Sequence, residues 1–286
     1  MGAVLLACAA LTILTTLTVV VVLASQTIAF FADPAVTLWE FVSARRWTPL
    51  FADQHFGIAP LLAGTFMVTV IALLVGVPMG LASAVYLSEF AGPRTRRIAT
   101  GVLEVLAGIP TVVLGYFALL FVTPFLQRFI PGLNLFNALS AGLVMGFMIL
   151  PTVSSISTDA MQAVPKSLRE AAYGLGSTKL ELVLKVVLPA SLSGIAAAVI
   201  LALSRAVGET MIVSLAAGQR PLLTLDPRET IATMTSFIVQ AATGDQPAGS
   251  LASRALYAVA ATLFFITLLL NLLSQAVVRR FRERYE

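Results

Sequence analysis

Charge is scarce in this sequence. Acidic and basic residues fill 11% of its 286 positions, against roughly 25% in a soluble domain. That is too little to cover a water-facing surface, and mean hydropathy is +0.95. A soluble globular protein is excluded and a polytopic membrane protein is expected. The net charge of +4 does not point to nucleic acid, because the basic residues gather at the ends of apolar runs.

Chemistry-bearing residues are scarcer still. The three lysines, Lys166, Lys179 and Lys185, stand in no G-x-x-x-x-G-K-[ST] phosphate loop, which argues against ATP hydrolysis by this chain. A single histidine, His55, and a single cysteine, Cys8, are too few for a His/Cys metal cluster and leave no internal disulfide. His55 reads as an ordinary surface residue. No nucleophile–base arrangement stands out, so an enzyme is disfavoured and no bound cofactor or metal is expected. The apolar run at 3–31 has no basic leader and exceeds the roughly 7–15 residues of a signal-peptide core. It reads as a retained membrane helix.

What is present is long apolar runs without the period-2 alternation of barrel strands, which favours an all-α fold. Six spans are expected, at 3–31, 61–89, 98–124, 138–160, 191–218 and 255–278. They divide the chain into a first span with an external segment (1–55), a core (56–278) and a basic tail (279–286). The 91–97 loop, the 161–190 loop and the tail hold eleven basic residues, against six in the intervening segments. The positive-inside bias puts those three segments, and both termini, in the cytoplasm.

Three spans carry prolines, in GVPMG (76–80), AGIPTVVLG (107–115) and ILPTVS (149–154). Each proline removes a backbone hydrogen bond and is expected to kink its helix. One such kink is simple bending; three in succession favour a cavity or moving parts. Gly76/Gly80 and Gly142/Gly146 have the small-xxx-small spacing that lets helices approach closely.

Charges inside spans are costly and informative. Arg205 and Glu209 lie four apart in SRAVGETM, on one helix face if the helix continues. Arg205 lies about 14 residues into its span, so about 21 Å along the helix, where a charge costs at least ~2.5–3.5 kcal/mol. The pair is either a self-satisfied structural ion pair or a gate on the path of an ionic substrate. Glu104 is a further buried acid, expected to pair with an arginine.

One polar stretch breaks the apolar pattern: EAAYGLGSTKLELVLKVVLP, residues 170–189. Pro165 suits a helix start, Gly176 a left-handed cap, and Thr178 with Glu181 a capping box for a second short helix. Leu180, Leu184 and Val187 are expected on one face, Glu181 and Lys185 as an i,i+4 pair, and Pro189 as the stop. The element is an amphipathic loop on the membrane surface or a knob for a cytoplasmic partner.

The spacing Glu170-Ala171-Ala172, three residues, Gly176, nine residues, Val186, one residue, Leu188-Pro189 resembles the EAA motif of ABC importer permeases. Val186 stands where that family has isoleucine. FGIAPLLAGTFMVTVIALLVGVPMGLASAVYLSEF (56–90), EVLAGIPTVVLGYFALL (104–120) and SRAVGETM (204–211) look like the phosphate-specific permeases of the PstC/PstA type, closer to PstC. The likeness covers most of residues 56–218. It implies a type I importer (MetI-like) fold with coupling helices at the EAA motif seated in an ATPase groove. It also implies a bacterial inner-membrane complex. The implied partners are a second phosphate permease, two cytoplasmic ATP-binding subunits using ATP and Mg, and an extracytoplasmic phosphate-binding protein. Permeases for molybdate, sulfate or phosphonate, and an ion-coupled secondary transporter, are the rival readings.

Overall fold

Every regular element is helical. Among the described residues no strand ladder forms, and Trp47 and Phe56 make a lone antiparallel bridge. The computed structural model describes the backbone of residues 1–247 and 249–281, and their side chains other than those at 3 and 277–281. Of the tail arginines, those at 279 and 280 fall outside the described side chains, and those at 282 and 284 outside the described residues.

Four helices are long and apolar enough to cross a membrane: Val4–Phe31, Ala59–Phe90, Ala138–Gln162 and Leu251–Ala276. Two bent pairs supply the rest, Pro93–Gly108 with Thr111–Gln127 and Lys179–Ala190 with Leu192–Val207. Counting each pair once gives six spans, the all-α arrangement expected. The first span shows why so greasy a helix tolerates threonine. Thr12, Thr15, Thr16 and Thr18 each donate to the carbonyl four residues back at 2.7–2.9 Å, so no hydroxyl is left unpaired in an apolar medium.

Spans two and four are the packed centre. A Cβ on Gly76 would stand 2.5 Å from Ile149 Cγ1, and one on Gly142 2.7 Å from Ile71 Cβ. Gly80 and Gly146 face Val153 and Val75 as closely, so the two glycine pairs interlock reciprocally. Around this seam Val68, Ala72, Met145, Ile149, Ala206 and Ile212 form the main buried cluster. Asn137 opens span four, its side-chain oxygen accepting the Ser140 N–H at 2.7 Å, a standard N-cap.

The prolines behave differently from one another: of the three, one breaks its helix. Pro78 and Pro151 lie inside unbroken helices, both within the interlocked pair whose packing holds the helix through them. Pro110 breaks its span outright, with an 88° bend. Ile109 has left the helical region (φ −66°, ψ 126°) and Pro110 follows at ψ 135°, as the clash of a proline ring with its predecessor demands. The expected continuous span 98–124 is therefore two arms.

The fifth span is also broken. Lys179–Ala190 turns by 69° at Ser191 into Leu192–Val207, and the helix stops at Gly208 instead of running to 218. After a short wide turn, Val213–Ala217, Gly218 takes φ +94° and the chain runs back into the protein. Asn137 and Ile231 donate to the carbonyls of Ala216 and Ala217 at 2.9 and 3.1 Å. Ile231, Ala232, Thr233 and Met234 are buried, and Thr233 with Ser236 forms a capping box for Met234–Thr243. Part of the 219–254 segment, from Ile231 into the helix Met234–Thr243, is thus packed into the protein. A second core of edge-on rings, Phe30, Phe41, Trp47, Phe56 and Phe237, ties the end of the first span to that element.

Candidate functional site

The polar stretch folds as a two-helix knob. Pro165 precedes the helix Lys166–Gly174. Gly176 sits at φ +84°, its N–H donating to the Tyr173 carbonyl at 2.9 Å while Ser177 donates to Ala172 at 3.1 Å. That pair of bonds is the Schellman C-cap, which needs a left-handed residue at this place. Thr178 and Glu181 then cap each other reciprocally, and Lys185 meets Glu181 at 3.2 Å. The threonine bonds, followed by the lysine, pull the Glu181 carboxyl down to about 2.

Two details of the knob depart from the sequence reading. Leu180 and Leu184 point away from the protein, and Leu182, Val183 and Val187 are the buried face, because residues 183–187 form a wide turn that rotates the register. Pro189 does not stop the helix. Its missing N–H falls just beyond that turn, and the chain bends two residues later, at Ser191. Of the motif residues, Ala172 is buried beneath the knob with Leu182 and Val187; Glu170, Ala171, Gly176 and Pro189 are exposed, and Val186 and Leu188 half-buried. Tyr173, Leu175, Leu180 and Leu184 lie bare on its surface.

Below the knob lies a buried ion pair that the sequence reading missed. Arg169 Nη1 donates to both carboxylate oxygens of Glu89 at 2.7 Å, and Nη2 to the Met161 carbonyl at 2.7 Å. The two side chains are 19% and 6% exposed. Breaking one half of such a pair costs about 3–5 kcal/mol, since it strands a buried charge. Glu89 lies in the wide turn Tyr86–Phe90 that ends span two. Arg96 caps the same end through the Leu87 and Ser88 carbonyls, both at 2.7 Å. The available signal was an acid at the very end of an apolar run, beside the basic AGPRTRR loop.

Arg205, Glu209 and Glu104 are not assembled as expected. The helix carrying Arg205 ends at Val207, so Glu209 does not share its face and no ion pair joins them among the described residues. Glu209 instead caps the next turn, accepting from Met211 and Ile212 at 3.0 and 3.3 Å. Arg205 Nη1 donates to Thr152 Oγ1 at 3.3 Å, the residue after Pro151. Glu104 is exposed on the first arm of the bent third span and pairs with no arginine among the described residues; Arg96, which lines the same cavity, donates to backbone carbonyls instead. Glu104 and Thr152 nevertheless line one cavity of about 380 Å³, with Arg96, Thr100, Ser155 and Asp159. Arg205 therefore bonds a residue of the wall of this cavity, which lies between the third and fourth spans and sets polar and charged groups in a largely apolar lining. It is exposed on this chain, with one of its N–H donors engaged.

Comparison with known proteins adds the following. The family described as "Binding-protein-dependent transport system inner membrane component" matches residues 76–286. The "Probable ABC transporter permease protein YqgH" of Bacillus subtilis is 33% identical over 93% of this chain and 86% of its own length. "Phosphate transport system permease protein PstC" of Mesorhizobium japonicum is 32% identical, covering 93% and 87%. The protein of the same name from Haemophilus influenzae is 32% identical over 85% and 82%. Among solved structures, the inward-facing MetNI methionine ABC transporter superposes with TM-score 0.58 at 20% identity, over 79% of this chain and 95% of that one. A bacterial alginate ABC transporter superposes with TM-score 0.62 at 16% identity, over 96% and 95%. These likenesses to solved structures speak to the fold.

Proposed function

The chain belongs to the family of binding-protein-dependent transport system inner membrane components, and we propose that it is a permease subunit of an ATP-driven importer of inorganic phosphate. The carrying observation is that relatives named as phosphate permeases match 85–93% of the chain at about a third identity, the broken spans and the coupling knob included.

In this reading the knob faces the cytoplasm, as its basic flanks and the positive-inside bias favour, and both termini lie on that side. One of the complex's two ATP-binding subunits seats against the bare Tyr173, Leu175, Leu180 and Leu184. Those subunits use ATP and Mg, a second permease completes the pathway, and an external binding protein delivers phosphate. Four bare apolar side chains on one short charged element support a docking role, because exposed apolar patches, unlike scattered single residues, mark interaction sites.

Arg205 is the residue for the passing anion. Its planar fork has five N–H donors and suits a phosphate oxygen pair, and one contact to Thr152 holds it at the cavity wall. Glu209 acts indirectly: by capping the turn after Gly208 it fixes where the helix ends and hence where Arg205 points. Glu104 and Asp159 put two acids beside Arg96 in the cavity wall, which lowers the residence of a dianion there once it has passed Arg205.

The test is ³²P-phosphate uptake into vesicles holding the whole complex. Arg205→Gln is expected to abolish uptake while the subunits still co-purify; normal uptake would remove Arg205 from the path. Excess molybdate or sulfate should leave wild-type uptake unchanged, and strong competition by either would reassign the cargo.

A further inference from the structure

We infer that the Glu89–Arg169 pair is the mechanical link by which movement of the coupling knob reaches spans two and four as one body. The inference rests on the importer reading above and adds to it a pair of positioning residues outside the EAA spacing.

The first helix of the knob, Lys166–Gly174, has a single buried residue, Ala172. A small methyl is a poor handle for transmitting force. The guanidinium of Arg169 is a far better one. Its Nη1 is bonded to both Glu89 oxygens at the end of span two, and its Nη2 to the Met161 carbonyl in the last turn of span four. One side chain thus joins three elements. Glu89 is itself held: Ser88 Oγ donates to it at 2.8 Å. The wide turn beneath it is closed by Ala91 N–H on the Tyr86 carbonyl at 2.8 Å and clamped by Arg96. Spans two and four are interlocked by reciprocal glycine contacts, so a pull on their shared end displaces both without slip.

The second helix of the knob takes another route. It continues into span five through the bend at Ser191, where the angle can change. The knob therefore drives a rigid pair through an ion pair and a hinged span through the backbone. The pair lies close beneath the docking surface, Arg169 being the residue before Glu170, yet neither member contacts the cavity that Arg205 reaches.

The experiment uses the complete complex with three permease variants: Glu89→Gln, Arg169→Gln, and the exchange Glu89→Arg with Arg169→Glu. Phosphate uptake, ATP hydrolysis and co-purification of the ATPase are measured together. Each single variant is expected to co-purify normally and to hydrolyse ATP within about twofold of wild type, while uptake per ATP falls about tenfold or more, because knob movement no longer reaches spans two and four through the pair. The exchange is expected to recover a substantial part of that ratio, the signature of pairwise coupling. Unchanged uptake per ATP in Glu89→Gln would overturn the link. So would uptake and hydrolysis falling in parallel, or loss of assembly in both singles that the exchange does not repair, since the pair would then serve the fold alone. A wild-type complex that moves another oxyanion under ATP would sink the phosphate reading and leave this ratio measurable.

Discussion

Spans two and four, set against spans three and five, show what position does to the same residues. All four are apolar and carry glycine, proline or both. In the first pair Gly76, Gly80, Gly142 and Gly146 each lie against a branched side chain of the partner helix, and two prolines are carried through without a break. In the second pair the packing is uneven: Gly115 and Gly194 abut Leu215 and Ala160 as closely. Gly101 and Gly108 have nothing within 4 Å of an added Cβ, and Pro110, Ser191 and Gly208 each end a helix. Helix breaks in a membrane protein persist only where protein or a wet cavity satisfies the freed backbone. Here Glu209 and Ile231 do so for span five. One half of the molecule is a strut and the other a set of joints.

The largest expected effect strikes the strut. Gly76→Val would drive a side chain into Ile149 and the Gly146 carbonyl, a clash worth about 1–3 kcal/mol or more. We expect little assembled protein on size-exclusion chromatography. Gly101→Val in the jointed half should assemble as wild type. Equal yields would erase the distinction between the halves.

Next comes the joint itself. Pro110→Ala restores a donor and removes the ring that keeps Ile109 out of the helix, so the two arms gain a straighter alternative. Uptake is expected to fall about tenfold, and spin labels on either arm should report a longer separation. Pro78→Ala, within the strut, should leave uptake within about twofold, because the helix there is already continuous. A smaller loss is expected from Gly176→Ala. A residue with a Cβ at φ +84° costs about 1–2 kcal/mol, and the knob should retain less ATPase on co-purification.

The smallest effect is on the knob's capping box. Glu181 is held down to about 2 from an ordinary 4.5. Its contribution is therefore complete above about pH 4.5 and is lost as pH falls toward 2, the direction for a carboxyl depressed on folding. Amide protection at residues 179–185, corrected for intrinsic exchange, should be flat near neutrality and decline below that point. Glu181→Gln should abolish the decline, and Thr178→Ala only shrink it, because the N–H at 178 and Lys185 still hold the carboxylate.

Much of the knob was legible in sequence because its determinants are local. A proline start, a glycine cap and a T-x-x-E box act over three or four residues, and each formed as expected. The glycine pairs were legible for a similar reason: a four-residue repeat faces one way on any helix. The face of the second knob helix was not, because the wide turn at 183–187 shifts register and no local residue announces it. Arg205 and Glu209 were read as neighbours on one helix; that reading required a helix that Gly208 ends.

The amino-acid sequence by itself determined that this chain lives in lipid, as bundled helices with one capped polar knob. Composition and short-range spacing act through propensity and desolvation, which need no knowledge of distant residues. Only the tertiary structure decided which prolines bend, where Glu209 is spent, and that Glu89 meets Arg169 across 80 positions of sequence. A bend survives where neighbours leave room for it, and a buried charge goes to whichever partner the packing brings within reach. Both depend on what lies alongside in space.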